Sequence, residues 1–128
     1  MKTKSIKQAV LLKAEPHDVY EALMDSEKHS ELTGSGAQIS RKVGGKFTAW
    51  GGYIDGVNLE LVRDQKIVQS WRSSDWPEKH YSHVTFFLEK AKNGTKLTFT
   101  QTGVPDLFYD SIKQGWTDYY WKPMKETL

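Results

Sequence analysis

The chain has 128 residues, and its 18 Lys and Arg residues nearly balance its 16 Asp and Glu residues, which gives a formal net charge of +2. This length fits one domain with a single core, and the small net charge argues against a surface built for wholesale phosphate binding. The chain has no cysteine, which excludes a disulfide scaffold, a cysteine nucleophile and a thiolate metal site. Its 16 aromatic residues, five of them Trp, are the unusual feature.

The N-terminal part of the chain predicts a strand followed by two short helices. Residues 4–13 alternate between apolar and polar side chains, as a half-buried strand does. Pro16 suits the first turn of a helix over residues 17–24, and Ser26 is the expected N-cap of a second helix over residues 26–32.

No apolar stretch reaches the length of a signal peptide or of a membrane span, and the N-terminal one covers only residues 9–12. We therefore expect a cytoplasmic protein with no membrane partner.

The middle of the chain reads as strands separated by turns. Asn93-Gly94 is the strongest hairpin signal and joins the last two strands of this region. The predicted strands cover residues 37–42, 46–50, 58–62, 66–72, 80–90 and 95–102.

The C-terminal part predicts one long helix that begins after an N-cap at Asp106. Apolar side chains repeat there at a spacing of three or four residues, so they share one face. We expect Pro123 to kink this helix or end it early. Gly115 interrupts the pattern, and close packing against the sheet would explain it.

The order of these elements predicts an α+β fold with a single domain over residues 1–128. The C-terminal helix has a wide apolar face that needs cover, and hairpin-linked strands can supply it. We therefore expect a curved antiparallel sheet of six or seven strands wrapped around a long C-terminal helix, with two short helices after the first strand.

Six short motifs in a fixed order resemble one known family. They are Val43-Gly44-Gly45-Lys46-Phe47, Gly51-Gly52, Ile67-Val68 with Trp71-Arg72, Asp75-Trp76-Pro77 with His80-Tyr81-Ser82, Gln101-Thr102-Gly103-Val104-Pro105, and Gly115-Trp116 with Tyr119-Tyr120-Trp121-Lys122-Pro123-Met124-Lys125. Over residues 4–128 the chain resembles the activator of heat-shock protein 90 ATPase family, specifically its C-terminal-domain type.

This resemblance implies the helix-grip fold, which is also called START-like or Bet v 1-like. It also implies a heat-shock protein 90-type chaperone as a partner. The family's larger N-terminal domain, which docks on the chaperone's middle segment and supplies most of the ATPase stimulation, has no counterpart in the resemblance. We therefore expect a binding module rather than a complete activator.

The histidines do not form a recognisable metal site, so we interpret all four as surface residues. His80 and His83 lie three apart in a predicted strand, which places them on opposite faces. Among the helical histidines, His17 has only Glu21 at a suitable spacing. The four are His17, His29, His80 and His83.

No other motif points to catalysis or to a cofactor. Gly45-Lys46 is followed by Phe47 rather than by the Ser or Thr that a phosphate-binding loop requires. No serine lies in a nucleophile-elbow sequence. We expect a protein that is not an enzyme and that needs neither a cofactor nor a metal.

Two sets of residues are left as candidates for function. The first set should lie between sheet and helix, either as plain core or as the lining of a cavity: Phe86, Leu88, Leu97, Phe99, Ile112, Trp116, Tyr120 and Met124. The second set should be exposed and contact a partner: Arg41, Lys42, Lys46, Trp76 and Trp121. Trp76 is alternatively a lid over the mouth of the sheet.

These observations leave two hypotheses for function. The first is a non-catalytic, co-chaperone-like binding module. The alternative is a carrier or sensor of a small hydrophobic ligand held between sheet and helix. Basic residues near aromatic ones also occur in nucleic-acid-binding proteins, but the small net charge leads us to expect no nucleic acid.

Overall fold

The computed structural model describes residues 1–128 and contains one seven-stranded antiparallel sheet with the order β1-β7-β6-β5-β4-β3-β2. The strands are β1 (Thr3–Leu12), β2 (Gln38–Ile39), β3 (Lys46–Ala49), β4 (Ile54–Val62), β5 (Lys66–Ser73), β6 (Ser82–Ala91) and β7 (Gly94–Pro105). The helices are α1 (Pro16–Met24), α2 (Ser26–Thr33), α3 (Tyr109–Trp116) and α4 (Lys122–Thr127). The predicted fold class is confirmed, including the curved sheet and the long C-terminal helix.

One face of the sheet forms the core with the helices. Along β6, Val84, Phe86 and Leu88 are buried while the residues between them are more exposed, which is the period of a strand with one covered face. Leu97 and Phe99 on β7 are fully buried beneath the C-terminal helix.

The two short helices begin where the sequence indicates, but the second has a different cap. Asp25, not Ser26, is the N-cap of α2, because its extended backbone lets its carboxylate accept a hydrogen bond from the Lys28 amide at 2.9 Å. Ser26 Oγ instead accepts from the Ile39 amide at 2.8 Å, which ties α2 to β2.

The strand predicted over residues 37–42 is too long, since only Gln38–Ile39 pairs with β3. The chain then leaves the sheet over residues 40–45 and returns to it at Lys46, the first residue of β3. Residues 40–46 are called here the basic loop. Asn58 holds this loop from β4, because its buried Nδ2 donates to the carbonyl oxygens of Ser40 (2.7 Å) and Lys42 (3.1 Å).

The C-terminal helix, residues 106–127, is continuous but not uniform. A 3-10 turn (Asp106–Phe108) leads into α3, and a π-helical turn (Thr117–Trp121) separates α3 from α4. Asp106 does not cap the helix, because its carboxylate lies 3.1 Å from Lys4 Nζ instead. Pro123 does not end the helix, because it lies in the first turn of α4, which continues to Thr127. The irregularity near it is the π turn, which ends two residues earlier at Trp121.

The π turn corrects the prediction for Trp121. In an α-helix, residues five apart lie about 140° from each other around the axis, whereas a π turn bonds residue i to i+5 and brings them to one side. Trp121 therefore stacks on Trp116 at 5.6 Å, is only 3% exposed, and donates from Nε1 to Gln8 at 2.7 Å. The expectation that Trp121 is an exposed contact residue is wrong.

None of the helices combines the length and the apolar character needed to cross a bilayer.

Candidate functional site

An aromatic cleft of about 500 Å³ lies between the C-terminal helix and the adjoining ends of β4 and β5. Six of its ten lining residues are aromatic and none is charged. Tyr53 and Tyr119 are exposed at its mouth. The lining consists of Trp50, Tyr53, Ile54, Trp71, Ser111, Ile112, Gly115, Trp116, Tyr119 and Tyr120. We call this space the aromatic cleft.

The residues predicted to line a core or cavity divide between two places. Ile112, Trp116 and Tyr120 line the aromatic cleft. The other five lie in the core and do not reach the cleft: Phe86, Leu88, Leu97, Phe99 and Met124. Beneath the cleft is a void of only about 20 Å³, about enough for a single water molecule. The interior between sheet and helix is therefore nearly filled, and the space there that could hold a ligand is the cleft.

Gly115 lines this cleft rather than packing against the sheet. A Cβ atom built on Gly115 would meet only the ring of Tyr119, at an ordinary 3.7 Å. The expectation of close packing against the sheet at this glycine is wrong.

A chain of hydrogen bonds runs from the mouth of the cleft into the core. Trp50 Nε1 donates to Tyr120 Oη at 3.2 Å, and His29 Nδ1 lies 3.1 Å from the Leu23 carbonyl oxygen. Because a carbonyl only accepts, Nδ1 carries the proton of His29. His29 Nε2 then accepts from the hydroxyl of Tyr120 at 2.9 Å. Every member of this Trp50–Tyr120–His29 chain has its partner.

Burial keeps the two titratable members of this chain neutral. It lowers the pKa of His29 below its usual value, although the bond to Leu23 opposes this shift. It also raises the pKa of Tyr120 far above its usual range. The interpretation of His29 as a surface residue is wrong, because α2 packs against the C-terminal helix and leaves His29 only 7% exposed.

A second chain of hydrogen bonds anchors Trp116 on the floor of the cleft. Trp116 Nε1 donates to Gln101 Oε1 at 2.8 Å, and Gln101 Nε2 donates to Ser82 Oγ at 3.0 Å. Ser82 in turn donates to the carbonyl oxygen of Trp71 at 2.8 Å. These buried polar groups thus fix the indole plane without pointing a free donor into the cleft.

Trp50 sits on a strained stretch of backbone at the rim. Its φ of 56° is left-handed, and Gly51 (65°) and Gly52 (96°) continue in the same region. For a bulky residue this conformation costs about 1–3 kcal/mol and persists only where the surroundings enforce it. The result is that the Trp50 ring stands edge-on to Tyr119 at 5.4 Å and to Tyr120 at 6.2 Å.

Trp76 is not an exposed contact residue, which corrects the second tryptophan prediction. It is 3% exposed, and its ring lies 5.3 Å from Trp71 and 5.9 Å from His80. The loop that carries Trp76 folds back over the sheet because Arg72 donates to the Trp76 and Pro77 carbonyl oxygens. His80 lies in this loop, not in a strand, and its Nε2 is 2.7 Å from the Gly103 carbonyl oxygen.

The basic residues singled out by the sequence are exposed on or beside the basic loop. Arg41 is bound to Glu21, whereas Lys42 and Lys46 take part in none of the ion pairs of the structure. His17 pairs with Asp64 at 3.0 Å and not with Glu21, which binds Arg41. No group of three or more acidic or histidine side chains is placed to hold a metal ion.

A curved sheet that grips a long C-terminal helix, with an aromatic cleft along that helix, defines a helix-grip domain of the START-like type. Residues 13–128 match the family described as Activator of Hsp90 ATPase homolog 1-like protein. The chain belongs to this family, and the resemblance drawn from its motifs is confirmed.

Curated relatives and a solved structure agree with this assignment. The chain is 34% identical over 115 residues to the activator of 90 kDa heat shock protein ATPase homolog of Dictyostelium discoideum, covering 89% of this chain and 30% of the relative. It is 30% identical over 113 residues to the human homolog 1, covering 88% and 33%. The crystal structure of an HSP90 activator from Plasmodium falciparum superposes with a TM-score of 0.85 at 32% identity, covering 91% of this chain and 89% of that one. The chain spans about a third of the length of the curated relatives it matches.

Proposed function

We propose that this protein is a co-chaperone-like module that binds a heat-shock protein 90-type chaperone. The observation that carries the proposal is the match of nearly the whole chain to relatives named as activators of that chaperone's ATPase. In this proposal, the protein corresponds to the C-terminal domain of those activators. Binding, rather than full stimulation of the ATPase, is its contribution, and we place it in the cytoplasm with its partner.

The basic loop is the surface that we assign to this contact. Lys42 and Lys46 are exposed without ion-pair partners, so an acidic partner surface would not have to break an existing contact. Arg41 contributes less, because its guanidinium is bound to Glu21. Charge pairs at such a rim mainly raise the association rate and fall in strength with salt.

The test is a calorimetric titration against the heat-shock protein 90-type chaperone of the same organism, combined with its ATPase rate. The double variant Lys42→Glu/Lys46→Glu should weaken binding, and added salt should weaken the wild type in the same direction. The matched control is Lys92→Glu/Lys96→Glu on the β6–β7 hairpin, three strands away in the sheet. No binding of the wild type at hundreds of micromolar would refute the proposal, and equal effects of both variants would refute the docking surface.

A non-catalytic role is part of the proposal. The polar groups of the Trp50–Tyr120–His29 and Trp116–Gln101 chains beside the cleft are paired among themselves. His29 is held neutral with its lone pair occupied, and the raised pKa of Tyr120 makes its hydroxyl a poor acid at neutral pH. These groups support packing and orientation rather than proton transfer.

The aromatic cleft favours a second candidate function, that of a carrier or sensor of a small ligand. Its volume of about 500 Å³ falls within the range of about 300–1,000 Å³ that ligand pockets occupy. Three lining residues are tryptophans, so the intrinsic fluorescence should change on binding. The variant Gly115→Leu, which places a side chain in the cleft, should abolish that response. A response that survives in this variant would locate the ligand elsewhere.

A further inference from the structure

We propose that the aromatic cleft is a cage for an alkylated ammonium group, which specifies the ligand class for the second candidate function and rests on it. Cations bind over the faces of aromatic rings within about 6 Å of the ring centre, and recognition of quaternary ammonium groups uses several rings at once. The cleft combines such rings with a charge distribution that suits a cation.

The rings at the mouth form a corner. Trp50 meets Tyr119 at an interplanar angle of 66° and Tyr120 at 77°, with centroids 5.4 Å and 6.2 Å apart. Trp116 lies beyond Tyr120 at 4.7 Å and extends the aromatic wall into the cleft. A compact group placed in this corner would lie against several rings at once.

The polar ends of Trp50, Trp116 and Tyr120 are turned away from the ligand space. The Nε1 group of Trp50 donates to Tyr120, and that of Trp116 donates to Gln101. The hydroxyl of Tyr120 is occupied by His29 and Trp50. What these three side chains leave available to a ligand is ring surface, which attracts cations and repels anions.

The charges near the mouth of the cleft also favour a cation over an anion. No charged side chain lines the cleft, so no positive side chain there repels a bound cation. A hydrogen bond from Ser73 holds the pKa of Asp75 below its usual range, and the nearby hydroxyl of Tyr53, a lining residue, acts in the same direction. Asp75 is therefore ionised beside a residue of the lining. Arg72 also acts on Asp75, but its guanidinium donates to backbone carbonyl oxygens.

An alkylated ammonium fits this lining better than a bare one. A bare ammonium is strongly hydrated, and leaving water for a lining with few acceptors would cost it those hydrogen bonds. Methyl groups on the nitrogen spread the charge and remove the N–H donors, so that the group can contact the rings directly.

The experiment compares choline with 3,3-dimethylbutan-1-ol, a neutral molecule of the same shape, by tryptophan fluorescence at constant ionic strength. We expect saturable binding of choline and binding of the neutral molecule that is weaker by about 5-fold or more. Equal binding of both would overturn the inference and leave the cleft as an apolar site. No saturable response to either molecule would count against the inference and against the second candidate function together.

A pair of variants at Tyr119 locates the site. This side chain is 57% exposed, so replacing it should not disturb the core. Tyr119→Leu keeps an apolar side chain but removes the ring, and it should weaken choline binding by about 3–10-fold. Tyr119→Phe keeps the ring and should change binding less than about 2-fold. Equal effects of the two variants would show that the ring face is not what binds the cation.

Discussion

Replacing Tyr120 by Phe should destabilise the protein although it removes a single oxygen atom. The ring stays, so no cavity opens, and the change acts through hydrogen bonds alone. The hydroxyl of Tyr120 donates to His29 Nε2 and accepts from Trp50 Nε1. In Tyr120→Phe, the buried nitrogen of His29 has no donor left.

The expected loss follows from how deeply each partner is buried. A buried polar group left without a partner costs about 1–3 kcal/mol. This applies to His29, whereas Trp50 is only half-buried and can find water. We therefore expect the free energy of unfolding to fall by about 2 kcal/mol. For 128 residues this corresponds to a drop of about 7 °C in Tm.

Urea unfolding followed by circular dichroism at pH 7.5 measures this loss. Tyr119→Phe is the matched control, because the neighbouring side chain is exposed and its variant should stay within about 0.5 kcal/mol of the wild type. If the two variants were equally stable, the Trp50–Tyr120–His29 chain would contribute nothing to stability and our reasoning would be wrong.

Three further predictions concern stability. Burial lowers the pKa of His29 in the folded protein, so on acidification the unfolded chain takes up the His29 proton first. The free energy of unfolding should therefore fall as the pH drops below about 6.5. In urea titrations from pH 7.5 to 5.5, His29→Gln should flatten this dependence. Gly56→Ala should cost about 3 kcal/mol, because its Cβ would lie 1.8 Å from the Ser70 carbonyl oxygen; Gly36→Ala, which meets nothing within 4 Å, should stay within about 0.5 kcal/mol in the same assay. Gly115→Ala should stabilise the helix by about 0.5–1 kcal/mol and narrow the cleft, because the added Cβ meets only Tyr119, at an ordinary 3.7 Å. Calorimetry should show a higher Tm, and a lower Tm would contradict the conclusion that Gly115 has room for a methyl group.

The elements that local pattern determines could be predicted from the sequence. The alternation in β6 and β7 and the Asn93-Gly94 turn between them reappear as a regular antiparallel pair in which Phe86 faces Phe99. In such a hairpin, turn chemistry and side-chain alternation act on neighbouring residues, so the information is local.

The predictions from the sequence are wrong where burial depends on contacts between residues that are far apart along the chain or lie in irregular loops. Trp76 lies in a loop with no periodicity, and only its contact with Trp71 makes it a core residue. His29 lies in the mostly polar α2, and its partner Tyr120 is 91 residues away along the chain. The aromatic cleft depends on the same kind of contact, since it joins Trp50 from one end of the sheet to Tyr119 from the C-terminal helix.

The π turn also means that the C-terminal helix holds one residue more than a regular α-helix needs over the same stretch. Deleting one residue within Thr117–Trp121 would allow a continuous α-helix with regular hydrogen bonds. Trp116 and Trp121 would then be four apart, which at about 100° per residue still places them on one face of the helix. Met124, now fully buried, would keep its place in the core. A deletion within α3 would instead rotate everything after it by about 100°, so the π turn is where this helix should best tolerate the loss of a residue.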